Sequence, residues 1–265
     1  MKNIRLILLA ALTILSASAC KSKYQTLLQG NNDDAKYAAA FQYFNQGKYD
    51  KATELFESVS VSAAGTERDD TVQFFWGLSN YRAKDFFTAE TNFERFNEHF
   101  PRSTFSEDAQ FYYVDCLYRN TYRAELDQTP TYKAIAALAQ YMADHPYSPH
   151  YKASETMLQD LNDRLDKKAY INAKLYYDME DYKASGVAFH NILKDDPDNI
   201  YREDILYYCS MSSYKYALNS VQDKQKERYM AFLDDYYNFV SEYQDSKYRA
   251  ELDRLYSKVK DLEEK

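Results

Sequence analysis

Glycine and proline are scarce here, with five of each in 265 residues. A chain of short strands needs turn formers every 8–12 residues or so, so this scarcity argues against a sandwich or barrel. Histidine is scarcer, with four copies, and His99, His145, His150 and His190 show no H-E-x-x-H or Cys/His spacing suited to zinc. His99 and His145 each lie beside a helix breaker and are expected as solvated helix-end residues. There is no Gly-x-Ser-x-Gly turn and no glycine loop to cradle a phosphate. The acid-rich stretches NNDD (31–34) and KDDPDN (194–199) lack a calcium loop's glycine and terminal glutamate; they are expected as a helix approach and an interhelix turn. DKQKER (223–228) is expected as a solvated charge run. No catalytic constellation emerges, so the expectation is a protein that is not an enzyme and holds no metal. Positive charge is also short, 33 Lys and Arg against 41 Asp and Glu for a formal charge of −8, which makes the chain a poor candidate for binding nucleic acid or an anionic lipid surface.

What is present begins with the first twenty residues. Lys2 and Arg5 precede a largely apolar run from Leu6 to Leu15, and Ser16-Ala17-Ser18-Ala19 leads to Cys20. Residues 1–19 are expected as a secretory signal peptide, too short for a membrane span. A cysteine after such small residues resembles a bacterial lipoprotein cleavage site, which implies that Cys20 becomes the acylated mature N-terminus. That covalent lipid is the only attached group expected. Each buried lipid methylene contributes about 0.8 kcal/mol, so two or three acyl chains hold a domain that has no spanning helix. Lys21-Ser22-Lys23 follows without an Asp at the second mature position and without an acidic run, a pattern that favours the periplasmic face of the outer membrane. Residues 20–35 are expected as a lipidated tether and 36–265 as the folded domain. Cys116 and Cys209, each in a helix-periodic stretch, are expected as buried free thiols.

Tyrosine is abundant, with 28 copies beside 15 Phe and one Trp, and much of it falls in a recurring phrase. Phe93, Phe96, Phe100, Pro101 and Ser103 share a spacing with Leu138, Tyr141, His145, Pro146 and Ser148, and again with Tyr236, Phe239, Tyr243, Gln244 and Ser246. A bulky residue recurring at helical spacing before a breaker describes a helix ended the same way several times. Upstream of the first phrase, Gly77, Tyr81, Ala89, Phe93 and Pro101 resemble a tetratricopeptide repeat. The cleanest copy is Ala40, Tyr43, Gly47, Tyr49, Ala52 and Phe56. Further copies run through Ala134, Leu138, Tyr141 and Pro146, through Tyr182, Ala184, Ile192 and Pro197, and through residues 227–244. After the breakers come Ser103, Asn199 and Ser246, each followed by an aromatic; these polar residues are expected to cap the next helix, with acids in its first turn. From Tyr151 to Met179 there is neither Gly nor Pro, which predicts one long helix of about 40 Å at 1.5 Å per residue. The expected fold class is all-α: a right-handed α-solenoid of about five such hairpins with a concave face, each hairpin burying its apolar side on its neighbours.

Several longer phrases add a resemblance. TERDD (66–70), YRAELDQTPTYKAI (122–135), KKAYINAKLYY (167–177), DYKAS (181–185) and QKERY (225–229), together with the lipoprotein-like start, resemble the BamD family of outer-membrane lipoproteins. That resemblance implies a scaffold of the β-barrel assembly machinery. It implies binding to the periplasmic domains of the BamA-like barrel insertase through the C-terminal repeats. It also implies contact with unfolded outer-membrane proteins through the N-terminal ones, with the lipid as the only hold on the membrane. Tyrosine suits peptide contact because it joins large area to a hydroxyl at low entropy cost; Tyr43, Phe44, Phe74, Trp76 and Tyr81 are the candidate partner-binding residues. Two other roles compete. A periplasmic repeat adaptor for the cell-wall or division machinery is disfavoured by the acylation signal and by the lack of heptads before residue 36. A SusD-type glycan-binding lipoprotein would need large non-repeat insertions.

Overall fold

The computed structural model describes residues 23–263; the signal-peptide and Cys20 expectations lie outside them. The described residues form helices and no strand: α1 (Lys23–Gln29), α2 (Asp33–Asn45), α3 (Tyr49–Ala63), α4 (Asp69–Arg82), α5 (Phe86–His99), α6 (Ser106–Arg119), α7 (Thr129–Asp144), α8 (Tyr151–Asp178), α9 (Tyr182–Asp195), α10 (Arg202–Leu218), α11 (Gln222–Glu242) and α12 (Arg249–Glu263). These are the expected tetratricopeptide-type hairpins, and α8 is the expected long helix. The described residues divide into two compact units, one through residue 120 together with 137–151, the other of residues 121–136 and from 152 onward. Packing starts ahead of residue 36, because α1 lies in the stretch expected as tether and its Tyr24 is only 8% exposed.

In the first unit the hairpin turns follow from backbone chemistry. Gly47, at φ 71°, ends α2 in the left-handed region, and Lys48 N–H donates to Tyr43 O at 2.9 Å. The same turn between α4 and α5 is made by Lys84 at φ 68°, with Asp85 N–H donating to Asn80 O at 3.0 Å. A side chain there costs about 1 kcal/mol, offset by Asp85, whose carboxylate caps α5 by accepting Thr88 N–H at 3.1 Å. Gly77 allows α4 and α5 to approach: a Cβ there would lie 3.1 Å from the Phe93 ring. Beneath the turns, Ala40, Ala52, Leu55, Phe56, Ala89 and Phe93 are fully buried.

The second unit repeats the scheme with smaller contact residues. Glu180 takes the left-handed turn at φ 62° and Asp181 caps α9 through Ala184 N–H at 3.1 Å. Where α9 meets α8 and α10, Ser185 Oγ donates to Ala173 O at 3.4 Å and accepts from Ser212 Oγ at 3.0 Å. Phe189, Ile205, Phe232, Phe239, Leu252 and Val259 fill the interior. Tyrosine hydroxyls tie α12 down: Tyr236 donates to Asp253 at 2.6 Å and Tyr207 to Glu251 at 3.0 Å. Cys116 and Cys209 are buried free thiols, as expected.

The seams differ from expectation in one respect. Ser103, Asn199 and Ser246 accept N–H groups two residues on, from Phe105, Tyr201 and Tyr248, at 3.2, 3.0 and 3.0 Å. They therefore shape the turn before the helix; the residues that cap α6 and α10, Phe105 and Tyr201, have no capping side chain. The physical reason is the aromatic itself. Phe105 stacks on Phe74 at 4.5 Å, His150 on Phe111 at 3.9 Å, Tyr201 on Tyr170 at 4.8 Å and Tyr248 on Tyr207 at 3.9 Å, all within 14° of parallel. An acid one turn before each receiving ring binds the same seam. Asp70 accepts Ser103 Oγ at 2.7 Å, Asp108 bonds His150 at 3.0 Å, Asp166 accepts Ile200 N–H at 3.5 Å and Asp204 accepts the Tyr248 hydroxyl. Offset stacking contributes about 0.5–1.5 kcal/mol beyond area, so each seam carries both a register mark and an attraction.

Candidate functional site

The five aromatics singled out from the sequence all lie in the first unit, but they do not form one platform. Phe74 is 3% exposed, held by Phe105, Phe93 and Phe96 with ring centroids 4.5–6.0 Å away. It is core, and the expectation that it meets a partner is corrected: its helix packs on α3, α5 and α6, and Phe74 points into the seam. Phe44 is partly buried and bridges Tyr49 and Phe75 at 5.5 and 5.3 Å. Trp76 is partly buried against the first hairpin. Tyr81 is sandwiched between Phe86 and Tyr112 at 5.5 and 4.8 Å. Its hydroxyl donates to Asp115, and burial with that carboxylate pushes its pKa above the usual phenol range. Tyr43 is half-buried at the end of the first hairpin, with Lys48 and Lys51 over its ring.

Two open grooves are better formed. One, of about 900 Å³, runs between the start of α2 and the end of α3 and is lined by residues including Asn31, Tyr37, Ser62, Thr66 and Arg68. Arg68 bonds Asp34 at 2.6 Å and lies 4.8 Å from the Tyr37 ring centroid, so a cation already covers the aromatic floor. The other, of about 580 Å³, lies in the second unit between α9 and α11 over α10, lined by residues including Lys183, Gly186, Val187, His190, Tyr216 and Asp235. Gly186 is not demanded by packing, since a Cβ there would meet nothing nearer than 3.7 Å. In a helix interior it costs roughly 0.5–1 kcal/mol relative to Ala and leaves the groove floor open.

His190 sits in this groove with both ring nitrogens facing acceptors, Nδ1 2.7 Å from Gly186 O and Nε2 2.8 Å from Asp235 Oδ1. Neither oxygen can donate, so the geometry fits the imidazolium. The Asp235 bond, then the neighbouring Cys209, push the His190 pKa up to about 11, while burial raises that of Cys209. The ring is half-exposed and Asp235 buried. Truncating one partner of a fully buried pair costs about 3–5 kcal/mol; with water screening this ring, His190→Ala should cost about 2 kcal/mol. A folded-state pKa above the ordinary 6.5 stabilises fully below pH 6.5, and that contribution is lost as pH rises toward 11. Urea unfolding at pH 6 and pH 10 should show wild type losing more stability than His190→Gln over that interval, and parallel losses would refute the pair.

Sequence reasoning missed this pair because its partners stand 45 residues apart on different helices; no spacing announces them. It also treated His145 as solvated, whereas its Nε2 lies 2.9 Å from Gln110 Oε1, the packed end of α7 having brought the two together. Among the described residues no group of three or more His, Cys, Asp or Glu is placed to hold a metal ion, and no helix is long and apolar enough to cross a membrane.

Comparison with known proteins places the chain. Among solved structures it is similar to the "TPR2AB-domain:pHSP90-complex of yeast Sti1", with 14% identity, a TM-score of 0.38, and coverage of 86% of this chain and 98% of that one. No curated protein matches it. The outer membrane lipoprotein family YfiO matches residues 29–229, through both units and most of the helices described above. The chain therefore belongs to the YfiO family of outer membrane lipoproteins, the family of BamD.

Proposed function

We propose that this protein is the lipid-anchored scaffold of an outer-membrane β-barrel assembly complex. In this role the signal peptide is removed, Cys20 is acylated, and the helical units stand on the periplasmic face of the outer membrane. They bind the periplasmic domains of the barrel insertase and receive unfolded outer-membrane proteins. The scaffold acts by holding partners together, without a chemical step. The observation that carries this reading is the family match over residues 29–229. The open grooves on both units support it, since helical hairpins with aromatic and polar lining suit extended chains and partner helices. Phe44 and Trp76, partly exposed at the first hairpin, are the aromatics offered to a partner, with the α9–α11 groove as a second docking place.

Extraction of native membranes in mild detergent, followed by capture of this chain, tests the reading. A large barrel protein with several periplasmic domains should co-purify in constant proportion. Recovery of the chain alone, or with cell-wall synthases, would overturn it.

A further inference from the structure

Tyr24, the second residue of α1, is nearly buried. Its hydroxyl donates to Lys51 O at 3.2 Å and to the Glu54 carboxylate, and its ring meets Tyr43 edge-on at 5.4 Å. Lys51 Nζ lies 5.0 Å from the Tyr24 ring centroid and 5.4 Å from that of Tyr43, and Lys48 Nζ lies 5.8 Å from Tyr43. One end of the first hairpin thus presents two touching tyrosines with two ammonium groups over them, and the exposed Lys23 precedes Tyr24 in sequence at the start of α1.

The position of this cluster gives it a use, one that rests on the proposed acylation of Cys20. Four peptide steps join Cys20 to Tyr24, so their Cα atoms are at most about 14 Å apart at 3.6 Å per residue. Acyl chains on Cys20 enter the leaflet, and the cluster is then held within reach of the headgroups whatever path residues 21 and 22 take. Tyrosine and lysine are the side chains that settle at a membrane interface, the ring among glycerol and upper acyl groups and the ammonium among phosphates. Whole-chain charge, −8, argues against an anionic surface, so only a locally positive face can approach one. Here Lys23, Lys48 and Lys51 outnumber the acids beside them in sequence, Asp50 and Glu54, the latter accepting the Tyr24 hydroxyl while keeping its charge.

We propose that Lys23, Tyr43, Lys48 and Lys51, braced by Tyr24, form a headgroup-binding face that seats the first hairpin on anionic phospholipid. Tyr43, singled out from the sequence as a protein contact, becomes a lipid contact.

The test uses the full acylated chain in phosphatidylethanolamine–phosphatidylglycerol vesicles, some containing brominated lipid. Gln46→Trp, in the exposed turn between α2 and α3, reports contact, and the parent chain with Trp76 alone is the baseline. Brominated lipid should quench the added tryptophan and leave Trp76 unchanged. A lysine near an anionic surface contributes about 1 kcal/mol, so Lys48→Gln and Lys51→Gln should each lower the ratio of seated to unseated protein about fivefold, without releasing the chain from vesicles. Neutral phosphatidylcholine vesicles should give the same low quenching for parent and variants. A vesicle-bound chain with no bromolipid quenching at position 46 overturns the headgroup face and leaves the anchor standing. So does quenching indifferent to the lysines, the outcome expected if the tether alone brings the turn to the lipid. A chain whose mature N-terminus proves unacylated by mass, and which stays in the supernatant, removes the anchor and the inference together.

Discussion

Phe93→Ala should lower the unfolding free energy by about 4 kcal/mol, the range for deleting a fully buried phenylalanine being about 3–5 kcal/mol. Phe93 is completely buried, stacks on Tyr112 at 5.4 Å and meets Phe74 at 6.0 Å. It also supplies the surface against which Gly77 packs, the contact that sets the spacing of α4 and α5. Rings this size cannot collapse into the space a neighbour leaves, so the cavity persists and the transfer term is not recovered. The matched control is Phe87→Ala, the same residue type on the same helix but 77% exposed, where a change within about 0.5 kcal/mol is expected. Urea titration followed by circular dichroism, read at the first transition because two units need not melt together, provides the comparison. Equal losses at the two positions would mean that the α4–α5 interface is not packed as described.

Cys20→Ser should move the protein from the membrane fraction to the soluble one. No described helix can span a bilayer, so on the proposed anchor the chain's own hold on lipid depends on its acyl chains, and the measurement must exclude the hold of the insertase. At about 0.8 kcal/mol per methylene, a single chain binds only marginally and two or three bind firmly. The headgroup face cannot substitute for them, since a few lysines at about 1 kcal/mol each give weak, salt-dependent adhesion. Binding of the purified variant and parent to protein-free vesicles, washed in high salt, decides the matter; equal retention of the two would exclude the lipid as the tether.

Much of the fold could be read from residue order, because the period of apolar residues and the places where it breaks are local properties. The Gly47 turn, the Ala40 and Ala52 contact points and the uninterrupted run over 151–179 are all of this kind. What stayed hidden is pairing at long range. Each seam aromatic is visible after its breaker, but nothing local says that Phe105 lies on Phe74 or Tyr248 on Tyr207, because the receiving ring belongs to an earlier helix. The regular recurrence of an acid one turn before that ring, at Asp70, Asp108, Asp166 and Asp204, was the available clue. For the candidate site the difficulty is sharper. A repeat helix packs on several neighbours at once: α10 buries Ile205, Leu206, Cys209, Ser210, Met211 and Ser212 in one stretch, leaving no clean polar stripe to distinguish a groove-facing ring from a core ring. Phe74 was misassigned on that account. Tyr24 escaped notice for another reason: with Leu27 and Leu28 it makes one helical turn of apolar residues, too short to show a repeating period.

The order in which the chain visits its two units has a practical consequence. It builds most of the first unit through residue 120, supplies 121–136 to the second, returns with 137–151 to the first, and completes the second from residue 152. No single scission point can therefore yield two intact halves. A fragment ending at residue 120 lacks the closing piece of its own unit, and one beginning at 152 lacks the opening piece of the other. Separately expressed halves would each be missing a part, and the helix Thr129–Asp144, which belongs partly to each unit, would be left with half of its packing.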